Sequence, residues 1–160
     1  QGYMALTFDF RGYRESGGDK DIEFMDRDVR ASAGFLREQG ATGVFLAGAS
    51  MGGTASLKVA SENGVAGVVS LSAPVDFNGL SVKGVRVRVP TLLMAAKDDR
   101  GAVTSLEEMV SLGIVGGPGL AQSVVYEGIA DHGTRLIVPG AETETAVKER
   151  ILEFLKANSE

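Results

Sequence analysis

Apolar and polar positions along the chain fall into two alternating patterns. Five short runs are almost continuously apolar: Tyr3 to Phe10 (YMALTFDF), Val44 to Ala49, Val65 to Ala73, Thr91 to Ala96 and Ser123 to Tyr126, each bounded by Gly, Pro or Asp. Such runs, lacking polar alternation, predict strands of a sheet covered on both faces. Between them, Ile22, Met25, Val29, Ala33 and Leu36 recur at spacings of three and four. They predict a helix over 21–39, with Asp19 or Asp21 placed to cap it and Gly40 to end it. Val147, Ile151, Leu152 and Leu155 make a similar stripe in a helix over 143–157, and Thr104 to Leu112 reads as a shorter one. Strand–helix–strand alternation at this spacing predicts an α/β domain. Its sheet is expected to be mainly parallel, with the strand over 44–49 near the middle and the helices over 21–39 and 143–157 among its covering layers. There is no internal repeat, low-complexity tract or linker, so residues 1–160 are expected to form a single domain.

Composition narrows the function classes. The 160 residues are 44% hydrophobic and 23% charged, the balance of a globular chain. A formal charge of −5 and 16 scattered basic residues argue against nucleic acid or an anionic membrane as partner. No apolar run approaches the ~20 residues of a membrane helix. Absence of cysteine removes disulfides and thiolate metal sites, and a single histidine leaves no ligand cluster, so neither cofactor nor metal is implied.

Candidate chemistry centres on Gly48-Ala49-Ser50-Met51-Gly52, a G-x-S-x-G pattern in FLAGASMGG. The motif alone is weak; its setting is informative. A strand runs directly into Ser50, and a helix-compatible run, Thr54 to Ser61, follows. A sharp strand-to-helix turn lifts a serine Oγ above the sheet edge, and the helix N-terminus supplies N–H groups and a favourable dipole. The turn demands small neighbours, which Gly48, Gly52 and Gly53 supply.

A serine hydroxyl needs an adjacent base. His132 is the only histidine, in the loop YEGIADHGT after the last predicted strand, on the carboxyl edge where open α/β sheets place their chemistry. The acid is expected to end the preceding strand, where PTLLMAAKDD places Asp98 and Asp99. Asp99 is the first choice, since the loop departs there; Asp98 reads as a solvated neighbour, with the two able to exchange roles. Asp76, in SAPVDF, is a second candidate, and Asp131 is a poor one because successive side chains diverge in a loop.

Taken together these segments resemble the α/β-hydrolase superfamily. FDFRGYRESGG is similar to its D-x-R-G-x-G-x-S segment, through Asp9, Arg11, Gly12, Tyr13, Ser16 and Gly17, with Arg14 in place of the usual glycine. GASMGG resembles the nucleophile elbow, PTLLMAAKDD the acid strand and EGIADHGT the histidine loop, all in the family's order. The resemblance extends to the serine esterase and lipase-like, dienelactone hydrolase-like and serine aminopeptidase-like branches. The Asp9 to Gly17 stretch is expected to be structural, a tight turn with an Arg–carboxylate contact.

The resemblance implies an α/β-hydrolase fold, a mainly parallel sheet with helices on both faces, without the family's N-terminal strands. The chain is therefore expected to be a fragment of a longer gene product, with only one oxyanion donor in place, the backbone N–H of Met51. The connection Pro74 to Pro90 is too short for a lid domain, so the site is expected to be open to small soluble substrates. The implied activity is cleavage of a small carboxylic ester or thioester by Ser50, His132 and Asp99 through an acyl-enzyme. A peptidase or acyltransferase with the same triad, and a non-catalytic hydrolase-fold protein or inactive fragment, are the alternatives.

Overall fold

The computed structural model describes residues 2–62, 64–117 and 119–159. Helix α1 (Met25–Glu38) leads into strand β1 (Phe45–Ala49), helix α2 (Met51–Ala60) and strand β2 (Gly67–Leu71). A small hairpin, β3 (Asp76–Phe77) and β4 (Leu80–Ser81), precedes strand β5 (Thr91–Ala96), helix α3 (Arg100–Ser111), strand β6 (Ala121–Tyr126) and helix α4 (Glu144–Ala157). Short 3-10 turns occupy Ile22–Phe24 and Gly133–Ile137.

The four long strands form one parallel sheet in the order β1-β2-β5-β6. Its register pairs Ala49 with Leu71, Leu71 with Met94, and Ala96 with Tyr126, so the strands' carboxyl ends line up along one edge. Every residue of β2 and β5 is buried, as expected of the two inner strands. Alternate side chains feed two cores. Val68, Leu93 and Ala95 pack with Met25, Val29, Ala55, Leu57, Leu106 and Met109 from α1, α2 and α3. On the other face, Val69, Leu71, Leu92, Met94 and Ala96 meet Leu136 and, from α4, Val147 and Phe154. Period-two alternation of predominantly apolar strands explains how one sheet buries both faces.

Three expectations are corrected. Tyr3 to Phe10 forms no strand: among its described residues the backbone enters no ladder, and Met4 is 58% and Tyr3 45% exposed. Apolar content made it strand-like, but a strand needs a partner edge. A cavity of about 480 Å³ lies between Leu6–Phe10 and β1. For the same reason β1 is an edge strand of the described sheet and not a central one. Val44 O and Ser50 N bond toward β2, so the backbone groups of Phe45, Ala47 and Ala49 point the other way, toward the cavity. Thirdly, neither Asp19 nor Asp21 caps α1, which starts at Met25 behind the 3-10 turn, and Asp21 makes no side-chain cap bond. Gly40 ends that helix as expected, at φ +93°.

The RGY segment is a tight turn pinned to α1. Gly12 N–H donates to Gly17 O at 3.1 Å, and Ser16 Oγ donates to Asp9 O at 2.6 Å. Arg11 meets Asp28 through its backbone N–H at 3.0 Å and its guanidinium at 2.7 Å. Arg14 occupies a left-handed conformation, φ +45°, with its side chain 82% exposed. That backbone suits a glycine, and an exposed turn accommodates arginine at modest cost.

Candidate active site

Ser50 sits between β1 and α2 with φ +50° and ψ −125°, a strained backbone for a residue with a side chain. Strand and helix hold it from both sides. Its N–H donates to Leu71 O at 2.8 Å, while its carbonyl accepts from Gly53 N and Thr54 N at 2.9 and 3.1 Å. A Cβ on Gly48 would lie 2.2 Å from Gly52 O, and one on Gly53 would lie 2.7 Å from Ser70 Oγ. Both positions therefore exclude any larger residue. Gly52 differs: an added Cβ would only touch the Phe10 ring at 3.7 Å, so the turn does not demand glycine there. Met51 N–H opens α2 at the first helical position, where backbone donors have no partner within the helix.

The acid candidates separate clearly. Asp99 caps α3, its Oδ1 accepting from Ala102 N at 3.4 Å, while its Oδ2 lies 2.6 Å from His132 Nδ1. One carboxylate thus has each oxygen assigned, which fixes its rotamer. Asp98 is exposed and donates its backbone N–H to Ile129 O, tying the histidine loop to the end of β5. Asp76 is exposed in the β3–β4 hairpin, where its Oδ1 accepts from Gly79 N at 3.4 Å. Asp131 makes no hydrogen bond to His132 among the described residues.

The histidine loop packs onto the elbow. A Cβ on Gly133 would stand 3.4 Å from Ala49 Cβ and 3.8 Å from Ser50 Cβ, with Gly133 itself at φ +58°. Gly133 N–H donates to Ser72 Oγ at 3.0 Å in a buried contact. His132 pairs with Asp99 and makes no hydrogen bond to Ser50 Oγ among the described residues. The His132 side chain is 49% exposed, so the site is open. The 480 Å³ cavity opens beside it, lined by Ser50 together with Thr7, Phe10, Met51 and Thr134.

Sequence reasoning overlooked Ser72. A serine after a buried strand carries no local signature, and only the folded contact with Gly133 reveals it.

No family model and no curated protein matches the chain. Solved structures do. It is similar to an alpha-beta serine hydrolase homologue from Coxiella burnetii, at 23% identity over 91% of this chain and 66% of that one, with a TM-score of 0.71. A dienelactone hydrolase from Anabaena variabilis aligns at 24% identity, 86% and 61% coverage and a TM-score of 0.69. An esterase from Pyrococcus furiosus gives 19% identity, 94% and 68% coverage and a TM-score of 0.74. The chain spans about two thirds of the length of these structures. With a parallel sheet, helices on both faces and matches of this quality over most of its length, the chain has the α/β-hydrolase fold.

Proposed function

We propose that the chain supplies the nucleophile, base and acid of a serine hydrolase that cleaves small carboxylic esters or thioesters through an acyl-enzyme. The observation that carries this reading is the Asp99–His132 contact, 2.6 Å long, on a loop packed against the strained turn at Ser50.

Each group has a defined role. Ser50 Oγ attacks the acyl carbonyl as His132 Nε2 takes its proton, and His132 returns that proton to the leaving alcohol or thiol. Water then repeats the sequence, with His132 as base, and releases the acid. Asp99 holds the proton on Nδ1, leaving Nε2 free as acceptor, and stabilises the imidazolium that forms. Met51 N–H, at the positive end of α2, faces the developing oxyanion. Substrate size follows from the open top of the site. The connection from Leu71 to Thr91 carries only the short β3–β4 hairpin, which leaves a long acyl tail without cover. Small, soluble acyl groups fit that surface best.

The test is labelling with a fluorophosphonate, alongside hydrolysis of nitrophenyl acetate. Wild-type protein is expected to be labelled at Ser50 and Ser50→Ala not at all. Equal labelling of both would refute the assignment.

A further inference from the structure

We propose that Ser72 is a positioning residue for His132, fixing the base from beneath through the peptide that follows it. The kinetic consequence rests on the serine-hydrolase reading, whereas the geometric claim does not.

Ser72 directly follows β2, where the sheet is fully buried, and is itself 2% exposed. Its N–H donates to Met94 O at 2.8 Å, extending the β2–β5 ladder by one bond, so its backbone is as fixed as the strands. From there its Oγ accepts the Gly133 N–H at 3.0 Å. That N–H belongs to the rigid, planar peptide joining His132 to Gly133. The carbonyl of the same peptide accepts Arg135 N–H at 3.2 Å. With both ends of the plane held, ψ of His132 is set, and with it the direction in which the imidazole leaves the backbone. Asp99 then restrains the ring itself, at Nδ1. The base is held at two separated points, one of which is a serine that takes no part in the chemistry.

The backbone at position 72 argues the same way. Ser72 has φ +52°, a conformation that favours glycine over any residue with a Cβ. Glycine there would relieve the backbone but leave the buried Gly133 N–H without an acceptor, a costly state for a buried donor. A hydroxyl at an unfavourable φ is what a site gains from when it needs that acceptor. A Cβ on Gly133 would meet Ala49 and Ser50, so the bond from Ser72 holds this part of the loop close over the elbow as well as oriented.

The presence of one histidine makes the test direct, because every imidazole resonance belongs to His132. In the wild-type chain, the Nδ1–H proton shared with Asp99 should be visible by nuclear magnetic resonance, and the Gly133 amide should exchange slowly although it opens a 3-10 turn and has no donor role within it. Ser72→Ala and Ser72→Gly should both lose the sharp Nδ1–H signal and should lower kcat about 10- to 100-fold, the range expected for a misplaced catalytic group, with KM within about twofold. The pair of variants separates hydroxyl from backbone. If Ser72→Gly kept wild-type signal and kcat while Ser72→Ala lost them, backbone strain and not the hydroxyl would be the cause. An unchanged signal in both variants, or a wild-type Gly133 amide exchanging at a free-loop rate, would also overturn the proposal. Should Ser72→Ala fail to fold, the glycine variant and the wild-type exchange rate still decide. Absence of ester hydrolysis in the wild type would remove the hydrolase reading alone, since the resonance measurements do not need turnover.

Discussion

The two sides of the sheet are built to different standards. On one, β5 and β6 run in register from Thr91–Ala121 to Ala96–Tyr126, and Asp99 and His132 follow their ends on loops cross-tied by Asp98 N–H to Ile129 O. On the other, β1 has a neighbour along one edge only among the described residues, and Leu6 to Phe10 lies across a cavity from it without a ladder. The front segment is tied down by the Arg11–Asp28 pair and by Phe10 and Tyr13 packing against the core. The contrast teaches that the Asp99–His132 contact is anchored by β5 and β6, whereas Ser50 hangs between α2 and the edge strand β1. The front segment borders the approach to Ser50 and makes no part of the Asp99–His132 contact.

The sharpest way to break that comparison is through the triad. If the proposed triad operates, Ser50→Ala and His132→Ala should each reduce turnover of a nitrophenyl ester by the complete gene product by about 10⁶, and Asp99→Ala by about 10⁴, the pattern of a cooperative serine triad. Because Asp99 also caps α3, Asp99→Ala should cost about 1 kcal/mol of stability in a denaturant titration. Asp99→Asn should keep the cap and lose the activity. Equal activity in Asp99→Asn and wild type would place the acid elsewhere.

Next in size are the elbow glycines. Gly48→Ala drives a Cβ to 2.2 Å from the Gly52 carbonyl oxygen and should cost several kcal/mol, of order 4, while Gly52→Ala, with ordinary contact at 3.7 Å, should fold normally. Thermal unfolding of the two variants makes the comparison, and equal loss in both would show that the elbow relaxes. In the buried half, Leu92→Ala should cost about 2–5 kcal/mol, whereas Met4→Ser, at an exposed front position, should change stability by less than about 0.5 kcal/mol.

The smallest effect is a pH dependence of the front segment. Burial pushes the Asp28 carboxyl up, but the side-chain and backbone hydrogen bonds from Arg11, with its charge, more than offset this and hold it below its ordinary value. A depressed folded pKa stabilises above the unfolded one, near 3.9, and the contribution disappears as pH falls through the folded value. Acid should therefore loosen the Asp9–Gly17 turn before it disturbs β5 and β6, as amide exchange at Gly12 and Ser16 would report. Asp28→Asn should remove that acid-dependent step.

What was legible in the sequence was whatever the chain encodes locally. Continuous apolar runs mark β2 and β5, the spacing of Val29 and Ala33 marks α1, and the glycines around Ser50 mark a turn whose steric demands are intrinsic. Asp99 was readable because it ends a strand and begins a helix, a place where a carboxylate both caps and projects. Tyr3 to Phe10 was misread because apolar content records a need for burial and carries no information about a partner edge. The edge position of β1 was invisible for the same reason. The β3–β4 hairpin was overlooked although Asn78-Gly79, both at positive φ, is a strong signal for a two-residue turn. Ser72 was beyond reach, since its meaning depends on Gly133, 61 residues away.

The outward edge of β1 has a consequence for handling the protein. Phe45-Leu46-Ala47-Gly48-Ala49 is short, uncharged and apolar, with none of the lysine, proline or bulge by which natural sheets blunt an exposed margin. Its odd-numbered residues present donors and acceptors in strand order toward a largely apolar hollow. Such a margin is a template for another strand, so the state of the protein in solution should depend on its concentration. Light scattering across a dilution series should show growth at high concentration, and Ala47→Lys, at an exposed position on this strand, should suppress it while leaving the triad in place. The same strand that leads into Ser50 would then also set the conditions under which the protein can be stored.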